Sequence, residues 1–182
     1  IIMIGSIIYL YFYQQELFVK IFGTSMFYRL ERIFDWQSGD GLQFNNSIVS
    51  IGSSGLFGYG IKNAPLYFPE AATDFIFSIY ATSFGFIGVI ILLTILFFLD
   101  FEIVKLSRKR IIDTDKFILS GILGMLLFQQ VQNIGMTIGL LPITGITLPF
   151  ISYGGSSLLS YTILVGLLIN ISKDKERKYT YK

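Results

Sequence analysis

Two carboxylates near the middle of the chain have the type and position for acid–base chemistry. Glu70 and Asp74 stand four residues apart, directly before an apolar stretch, and would share one face of a helix. At the edge of a bilayer, partial loss of solvent would make the Asp74 carboxylate a stronger base and suit it to general-base catalysis. The competing interpretation is that Thr73 or Asp74 caps a helix, and the residues alone favour capping.

The residue types that the chain lacks narrow this chemistry further. It contains no His, which is the commonest general base and metal ligand. It also contains no Cys, so neither a thiolate metal site nor a disulfide can form. Acid–base chemistry must then come from Asp, Glu, Lys or Tyr.

A stripe of polar side chains interrupts an otherwise apolar stretch in the second half of the chain. Gln129, Asn133 and Thr137 are spaced by four and share a helix face. Amides in hydrocarbon are costly unless they are paired, so this face should look into a helix bundle or a wet cavity. Interhelical hydrogen bonding and contact with a substrate explain the stripe equally well.

A third candidate region follows the stripe and reads LPITGITLPFISYGGSS (141–157). Its two prolines must turn the chain. Irregular backbone with hydroxyl groups at membrane depth persists only where it is buried or lines a cavity. The region therefore indicates a site, and its candidate residues are Thr144, Ser152, Tyr153, Gly154, Gly155 and Ser156.

A Gly-rich stretch, GSSGLFGYG (52–60), precedes the two carboxylates. It lacks the Gly-Lys-Ser/Thr of a P-loop and the surroundings of a dinucleotide fingerprint. Tight turns are the first explanation. The alternative is that its backbone N–H groups closely approach a phosphate.

The elements that must position these residues are membrane helices. Only 14% of the 182 residues are charged, 53% are hydrophobic and the mean hydropathy is +0.65, whereas about a quarter of a soluble domain is charged. Residues 75–99 and 117–172 form uncharged runs of 25 and 56 residues. Since about 20 apolar residues cross a bilayer, the sequence predicts an all-α integral membrane protein with about four transmembrane helices.

The distribution of Lys and Arg orients these spans. Five lie in 100–116 and five in 173–182, but none lies in 141–151, so the first two segments should be cytoplasmic and the third outside. The predicted segments are 1–13 (end of a span), 14–73 (large outer loop), 74–99 (span), 100–116 (cytoplasmic loop), 117–140 (span), 141–151 (outer turn), 152–172 (span) and 173–182 (cytoplasmic tail). In the outer loop, 21–36 fits an amphipathic helix that lies at the membrane surface or packs on neighbouring loops. The abrupt apolar start, without an initiator Met, predicts a fragment of a longer protein.

Three of these stretches together resemble the SEDS family (shape, elongation, division and sporulation), the RodA/FtsW-type peptidoglycan glycosyltransferases. They are SIVSIGSSGLFGYG, LYFPEAATDFIF and LPITGITLPFISYGGSS, in the family's order. The resemblance implies a ten-helix membrane enzyme of which this chain supplies the last four helices and the large outer loop. It implies that the enzyme polymerises lipid II into glycan strands in cell elongation or division, beside a class B penicillin-binding protein. The essential Asp of the family maps onto Asp74.

The resemblance implies a mechanism in which the candidate residues have specific roles. Asp74 would deprotonate the acceptor sugar, whose oxygen attacks the lipid-pyrophosphate-linked donor with inversion, while Glu70, Thr73 and the polar residues named above contact substrate. The outer cations Arg29, Arg32 and Lys62 are candidates to hold pyrophosphate, a task that a divalent cation could share.

The sequence also predicts the surroundings of the protein and two rival functions. We expect the protein to lie in the bacterial cytoplasmic membrane with its C-terminus cytoplasmic, as the resemblance implies. We also expect it to contact membrane lipid and to bind no nucleic acid. A penicillin-binding-protein helix should dock on small residues of two spans, namely Gly85, Gly88, Gly121 and Gly124. The rivals are a transporter of lipid-linked sugars and a non-catalytic scaffold. A transporter should place ionisable groups near the midplane, whereas every acid here is expected at or beyond a membrane edge.

Overall fold

A computed structural model describes residues 2–27, 30, 42–61, 63 and 72–173. Within these ranges every regular element is a helix, which confirms the predicted all-α fold class. The helices are α1 (Ile2–Tyr13), α2 (Gln15–Phe22), α3 (Leu42–Ser53), α4 (Ile76–Arg108), α5 (Asp113–Thr137) and α6 (Gly155–Lys173).

Three of the described helices, α4, α5 and α6, are long and apolar enough to cross a membrane, with 33, 25 and 19 residues. Their outward faces carry large exposed apolar side chains such as Phe97, Phe98 and Phe128, as expected of surfaces that face lipid. Helix α4 continues nine residues beyond the predicted span 74–99, because Ile103 still packs into the core. Asp100 consequently lies inside α4 and is only 9% exposed.

Helix α4 is broken at Gly85, which divides it into an outer half-helix (76–84) and a main span (86–108). Gly85 has φ 65° and ψ −165°, a combination that is essentially restricted to glycine. At about 1.5 Å per residue, the 23 residues of the main span reach about 34 Å, close to the roughly 30 Å of a hydrocarbon core.

The Gly-rich loop 55–60 fills this break. An unbroken helix would pair the N–H groups of 86 and 87 with the carbonyls of 82 and 83. The loop supplies a partner for all four groups, and we call this contact the loop clip. Its hydrogen bonds are Tyr59 N to Thr82 O (2.9 Å), Gly60 N to Ser83 O (3.0 Å), Phe86 N to Gly55 O (3.0 Å) and Ile87 N to Leu56 O (3.2 Å).

The loop clip separates the two explanations of the Gly-rich stretch. Tyr59 and Gly60 already donate their N–H groups to α4, so the structure does not support a phosphate cradle at these two residues. Gly58 and Gly85 meet backbone to backbone, and a Cβ on either would overlap the other chain segment. The glycines thus serve close backbone packing.

Apolar packing fills two regions. The inner cluster joins α4, α5 and α6 through Ile103, Leu119, Ile122, Leu126, Tyr161 and Ile171. The outer cluster gathers Phe77, Leu92, Leu96 and Leu148 around α4 and the turn that precedes α6. The second cluster includes Phe77, three residues after Asp74, and Leu148 of the turn that follows α5.

Half of the predicted amphipathic helix 21–36 falls outside the described residues. Where the chain is described, α2 ends at Phe22 and Gly23 follows as its C-cap with φ 83°. Helical residues resume at 24–27. A single helix does not start at Ile21, because Gly23 interrupts the backbone there.

Candidate functional site

Asp74 lies in the turn 72–75 that leads into α4. The N-cap position of this helix falls to Phe75, which makes no side-chain cap hydrogen bond. Neither Thr73 nor Asp74 thus occupies the N-cap position itself. Both side chains are half-buried at the outer end of the helices.

Asn133 fixes the main chain at Asp74. Its Nδ2 donates one hydrogen bond to the main-chain O of Asp74 (2.8 Å) and another to that of Ile146 (2.7 Å). The residue is 0% exposed, so both bonds are shielded from water. A single amide of α5 thus joins the turn 72–75 to the turn that follows α5.

Gly145 lies directly against the Asp74 carboxylate. A Cβ built on Gly145 would come within 3.0 Å of Asp74 Oδ2, and the glycine has φ +71°, where residues with a side chain are strained. Both the space and the backbone conformation thus require glycine here. The turn 141–151 passes close to the acid because this residue has no side chain.

Ser152 ties the same two segments together from the other side. Its Oγ donates to the main-chain O of Thr73 (2.7 Å) and accepts from the N–H of Leu148 (2.7 Å). The N–H of Tyr153 donates to the main-chain O of Ala72 (2.9 Å), and its ring stays 77% exposed. We call the assembly of turn 72–75, segment 142–153 and Asn133 the outer corner.

The outer corner holds one strained residue. Phe150 has φ 64°, which is unusual for a bulky residue and costs about 1–3 kcal/mol. Its ring packs on Tyr161 of α6 with centroids 5.0 Å apart. This contact and the bonds of Ser152 oppose relaxation of the turn.

Further polar bonds connect the outer corner to the helices. Gln132 Nε2 donates to the main-chain O of Pro142 (2.9 Å) and so fixes the start of the outer turn. Ser47 of α3 bonds the Ser78 hydroxyl and donates to the main-chain O of Thr137 (2.8 Å). Main-chain groups at the end of α5 and in the turn after it are therefore paired with side chains of two helices, α3 and α5.

The predicted polar stripe shares a face but has three different sets of partners. Gln129 accepts a hydrogen bond from the Tyr161 hydroxyl (3.1 Å), Asn133 bonds the two turns, and Thr137 donates to Ile134 O of its own helix (2.8 Å). Beside it, Gln130 Nε2 donates to Asp100 Oδ1 (3.3 Å) inside the bundle. Hydrogen bonding within the protein accounts for these contacts, and substrate contact stays a prediction.

The structure brings together some of the predicted site residues and separates others. Thr73, Asp74, Asn133, Ser152 and Tyr153 meet in the outer corner. Gln129 lies with Tyr161, while Thr144 is exposed on the turn and Gly154, Gly155 and Ser156 lead into α6. Arg29, Arg32, Lys62 and Glu70 lie outside the described residues, so their roles stay predictions.

Two contributors to the site were not predicted. Gly145 contacts the carboxylate, and the loop clip fixes the half-helix that carries it. The only sequence feature that could have pointed to Gly145 is its position as a glycine inside the candidate region 141–157. Among the residues that the structure describes, no group of three acidic side chains could hold a metal ion, and the divalent cation stays a prediction.

Comparison with known proteins decides the family. The profile described as "Cell cycle protein", FTSW_RODA_SPOVE, matches residues 1–177. The chain belongs to the FtsW/RodA/SpoVE family. This membership confirms the resemblance to SEDS proteins, and the three apolar helices together with the family make it a multi-pass membrane protein.

Similar relatives carry the names FtsW, RodA and stage V sporulation protein E. "Probable peptidoglycan glycosyltransferase FtsW" of Enterococcus hirae is 42% identical over 139 residues, which cover 75% of this chain and 35% of the relative. "Peptidoglycan glycosyltransferase RodA" of Treponema pallidum is 46% identical over 134 residues (69% and 30%). "Stage V sporulation protein E" of Bacillus subtilis is 39% identical over 155 residues (80% and 42%). The chain thus spans less than half the length of these relatives.

A solved structure agrees with the fold. It is described as the structural coordination of polymerization and crosslinking by a peptidoglycan synthase complex. One of its chains superposes with a TM-score of 0.69 at 29% identity, covering 96% of this chain and 49% of that chain. The fold of this chain therefore has a counterpart in a solved structure.

Proposed function

We propose that this chain carries the catalytic base of a peptidoglycan glycosyltransferase, and that Asp74 is that base. The proposal is carried by the outer corner, where Asn133 and Ser152 hold the main chain at Asp74 and Thr73 while Gly145 leaves room at the carboxylate. Such fixed positioning is what proton transfer to a bound group requires. Relatives named peptidoglycan glycosyltransferase supply the reaction class.

The reaction is an inverting glycosyl transfer between two lipid-linked sugars. Asp74 accepts the proton of the acceptor's 4-hydroxyl, and that oxygen forms a bond to the anomeric carbon of the donor, lipid II or the growing strand. The bond from this carbon to pyrophosphate breaks, and lipid pyrophosphate leaves. Because pyrophosphate is a good leaving group, one carboxylate can suffice, whereas glycoside hydrolysis uses two.

The orientation follows from the cations. Lys105 and Arg108 lie in the last turn of α4, Lys109 and Arg110 follow directly, and Lys173 ends α6. By the positive-inside rule this end faces the cytoplasm, which puts the outer corner on the opposite side. The acceptor and donor sugars then lie outside the cytoplasmic membrane, as the proposed polymerisation requires. Arg29, Arg32 and Lys62 are the proposed pyrophosphate ligands.

The buried Asp100 favours one alternative function. It lies inside α4, is only 9% exposed and accepts a hydrogen bond from Gln130, a burial that the sequence did not predict. Intramembrane ionisable residues often mark transport pathways. A transporter of lipid-linked sugars would use Asp100, whereas the polymerase would use Asp74.

Matched amide substitutions at the two acids separate these functions. In the full-length protein with its partner, Asp74→Asn should lower the rate of lipid II polymerisation by about 10²–10⁴-fold at unchanged expression. Asp100→Asn should leave the rate within a few-fold. Both are measured by gel separation of the glycan strands formed from labelled lipid II. Polymerisation near the wild-type rate with Asp74→Asn would refute the proposal, and loss of lipid-linked-sugar transport with Asp100→Asn alone would replace it with the transporter.

The proposed partner is a single-span helix of a class B penicillin-binding protein, and the structure narrows where it docks. Gly85 and Gly88 are buried, so the expectation that they offer an open face was wrong. Gly121 and Gly124 of α5 are exposed, and a Cβ on either would meet nothing within 4 Å. Small residues allow close helix approach in lipid.

Bulky substitutions test this face. Gly121→Leu with Gly124→Leu should reduce co-purification of the partner about tenfold or more, because the added side chains prevent close approach. Gly166→Leu, also open but on α6, is the matched control and should not change it. Equal recovery of the partner with both sets would exclude this face.

A further inference from the structure

A groove separates α4 from α6 near their C-terminal ends, and Phe150 of the outer corner also contributes to its lining. Its volume is about 550 Å³, within the roughly 300–1,000 Å³ of small-molecule sites. Its walls are mainly apolar along most of their length, with Leu99, Ile103 and Leu106 on one side and Val165, Leu168 on the other. The glycosyl transfer makes no use of it.

The groove ends among basic side chains. Lys105 pairs with Glu102 at 2.9 Å, which neutralises both. Lys109 and Lys173 also line the groove, are exposed and form no ion pair among the residues that the structure describes. Two cations on different helices are therefore available at one end of an apolar channel.

A direct hydrogen bond connects the C-terminal ends of α4 and α6. Arg110 Nη2 donates to the main-chain O of Ser172 (3.0 Å). The last carbonyls of a helix carry partial negative charge, so a guanidinium at the C-terminal end of α6 is stabilising. The bond connects the segment after α4 to the last turn of α6, and it keeps Lys109 and Lys173 at the same end of the groove.

The arrangement fits one class of ligand. A small soluble anion would use the lysines but not the apolar walls, and an apolar helix would use the walls but not the lysines. An anionic amphiphile uses both, and anionic lipids are enriched in the cytoplasmic leaflet, which these basic ends are proposed to face. We propose that the groove binds an anionic phospholipid of that leaflet, with an acyl chain along the apolar walls and its phosphate at Lys109 and Lys173.

The first test measures lipid affinity of the full-length protein. Phosphatidylglycerol retained after detergent extraction is counted by native mass spectrometry, with phosphatidylcholine as the neutral comparison. Lys109→Gln with Lys173→Gln should weaken phosphatidylglycerol binding roughly fivefold for each lysine removed, and Arg substitutions should retain it. Arg108→Gln with Lys116→Gln removes the same charge outside the groove and should have little effect. Equal losses with both pairs, or no preference over phosphatidylcholine, would overturn the proposal.

The second test asks what occupies the groove. A photo-crosslinking side chain at Ile169, which lines the groove, should capture phosphatidylglycerol in vesicles, and the two Gln substitutions should abolish most of this capture. At Ile163, exposed on α6 and outside the groove, capture should not depend on the lysines. A crosslink from Ile169 to another segment of the same protein would show that the groove is filled by protein and would refute lipid binding.

Discussion

The outer corner and the inner cluster are stabilised in different ways. In the outer corner, side chains of Asn133, Gln132 and Ser152 bond main-chain groups of irregular segments. In the inner cluster, Leu119, Leu126 and neighbouring apolar side chains pack between regular helices. The outer corner thus fixes the positions of individual backbone atoms, whereas the inner cluster fixes only the positions of entire helices.

This difference follows from the solvent. Lipid tails are as apolar as leucine, so apolar contact between membrane helices specifies position weakly. An unpaired carbonyl near hydrocarbon costs several kcal/mol, so a hydrogen bond to it specifies position strongly. Function that depends on placement to within about an ångström should therefore depend on the outer corner and tolerate change in the inner cluster.

The largest effect in this comparison is expected at Gly145. Gly145→Ala places a methyl group 3.0 Å from Asp74 Oδ2 and displaces the carboxylate. The carboxylate must give by a few tenths of an ångström, and the φ of +71° strains the turn as well. Since a misplacement of about 1 Å can cost about 10²-fold, polymerisation per folded molecule should fall roughly 30-fold. The rate is measured on the monodisperse fraction of the full-length protein.

Gly139→Ala is the matched control for this substitution. Gly139 also has positive φ (+81°), and its Cβ would crowd the Phe44 ring at 2.9 Å, away from Asp74. It should lower thermal stability comparably and leave the rate per folded molecule within a few-fold. Equal loss of activity in both variants would mean that general instability, not placement of Asp74, explains the result.

A smaller effect is expected at Asn133. Asn133→Leu leaves the carbonyls of Asp74 and Ile146 without their buried donor, which costs about 1–3 kcal/mol for each, and the rate should fall about tenfold or more. Gln130→Leu removes a buried amide three residues earlier, whose partner is Asp100. Gln130→Leu should reduce stability without reducing the rate per folded molecule. A loss of rate with Gln130→Leu and none with Asn133→Leu would contradict the assigned role of Asn133.

The smallest effect is expected in the inner cluster. Leu126 is 1% exposed, and Leu126→Met conserves volume, which usually costs less than about 1.5 kcal/mol. Polymerisation should stay within about twofold of wild type in the same strand assay. A tenfold loss would show that the inner cluster controls Asp74 through the helices, contrary to the division drawn here.

The sequence predicted the helices better than it predicted the irregular contacts. Hydropathy located α4, α5 and α6 because lipid selects apolar side chains over whole helices. It did not reveal the break at Gly85, since apolar residues continue on both sides and glycine is common in membrane helices. The burial of Asp100 was missed for a related reason: a charge was taken as the end of a span, although Gln130 of another helix pairs with it.

The candidate site was predicted in part. Spacing put Asn133 on a polar face, and acidity with location singled out Asp74. Spacing could not show that Asn133 bonds backbone at Asp74 and Ile146, because these partners are 59 and 13 residues away. The proximity of Gly145 to the carboxylate depends on the same fold-level contact.

The loop clip also implies an order of biogenesis. Residues 55–60 are synthesised before α4, so the loop that receives the broken helix already exists when that helix enters the membrane. Without the loop, the four main-chain groups at the break would pair with one another, and the 33 residues of α4 would form one rod of about 50 Å. The direction in which the half-helix 76–84 leaves the rest of α4 is therefore set by an earlier part of the chain, and with it the position of the turn that carries Asp74.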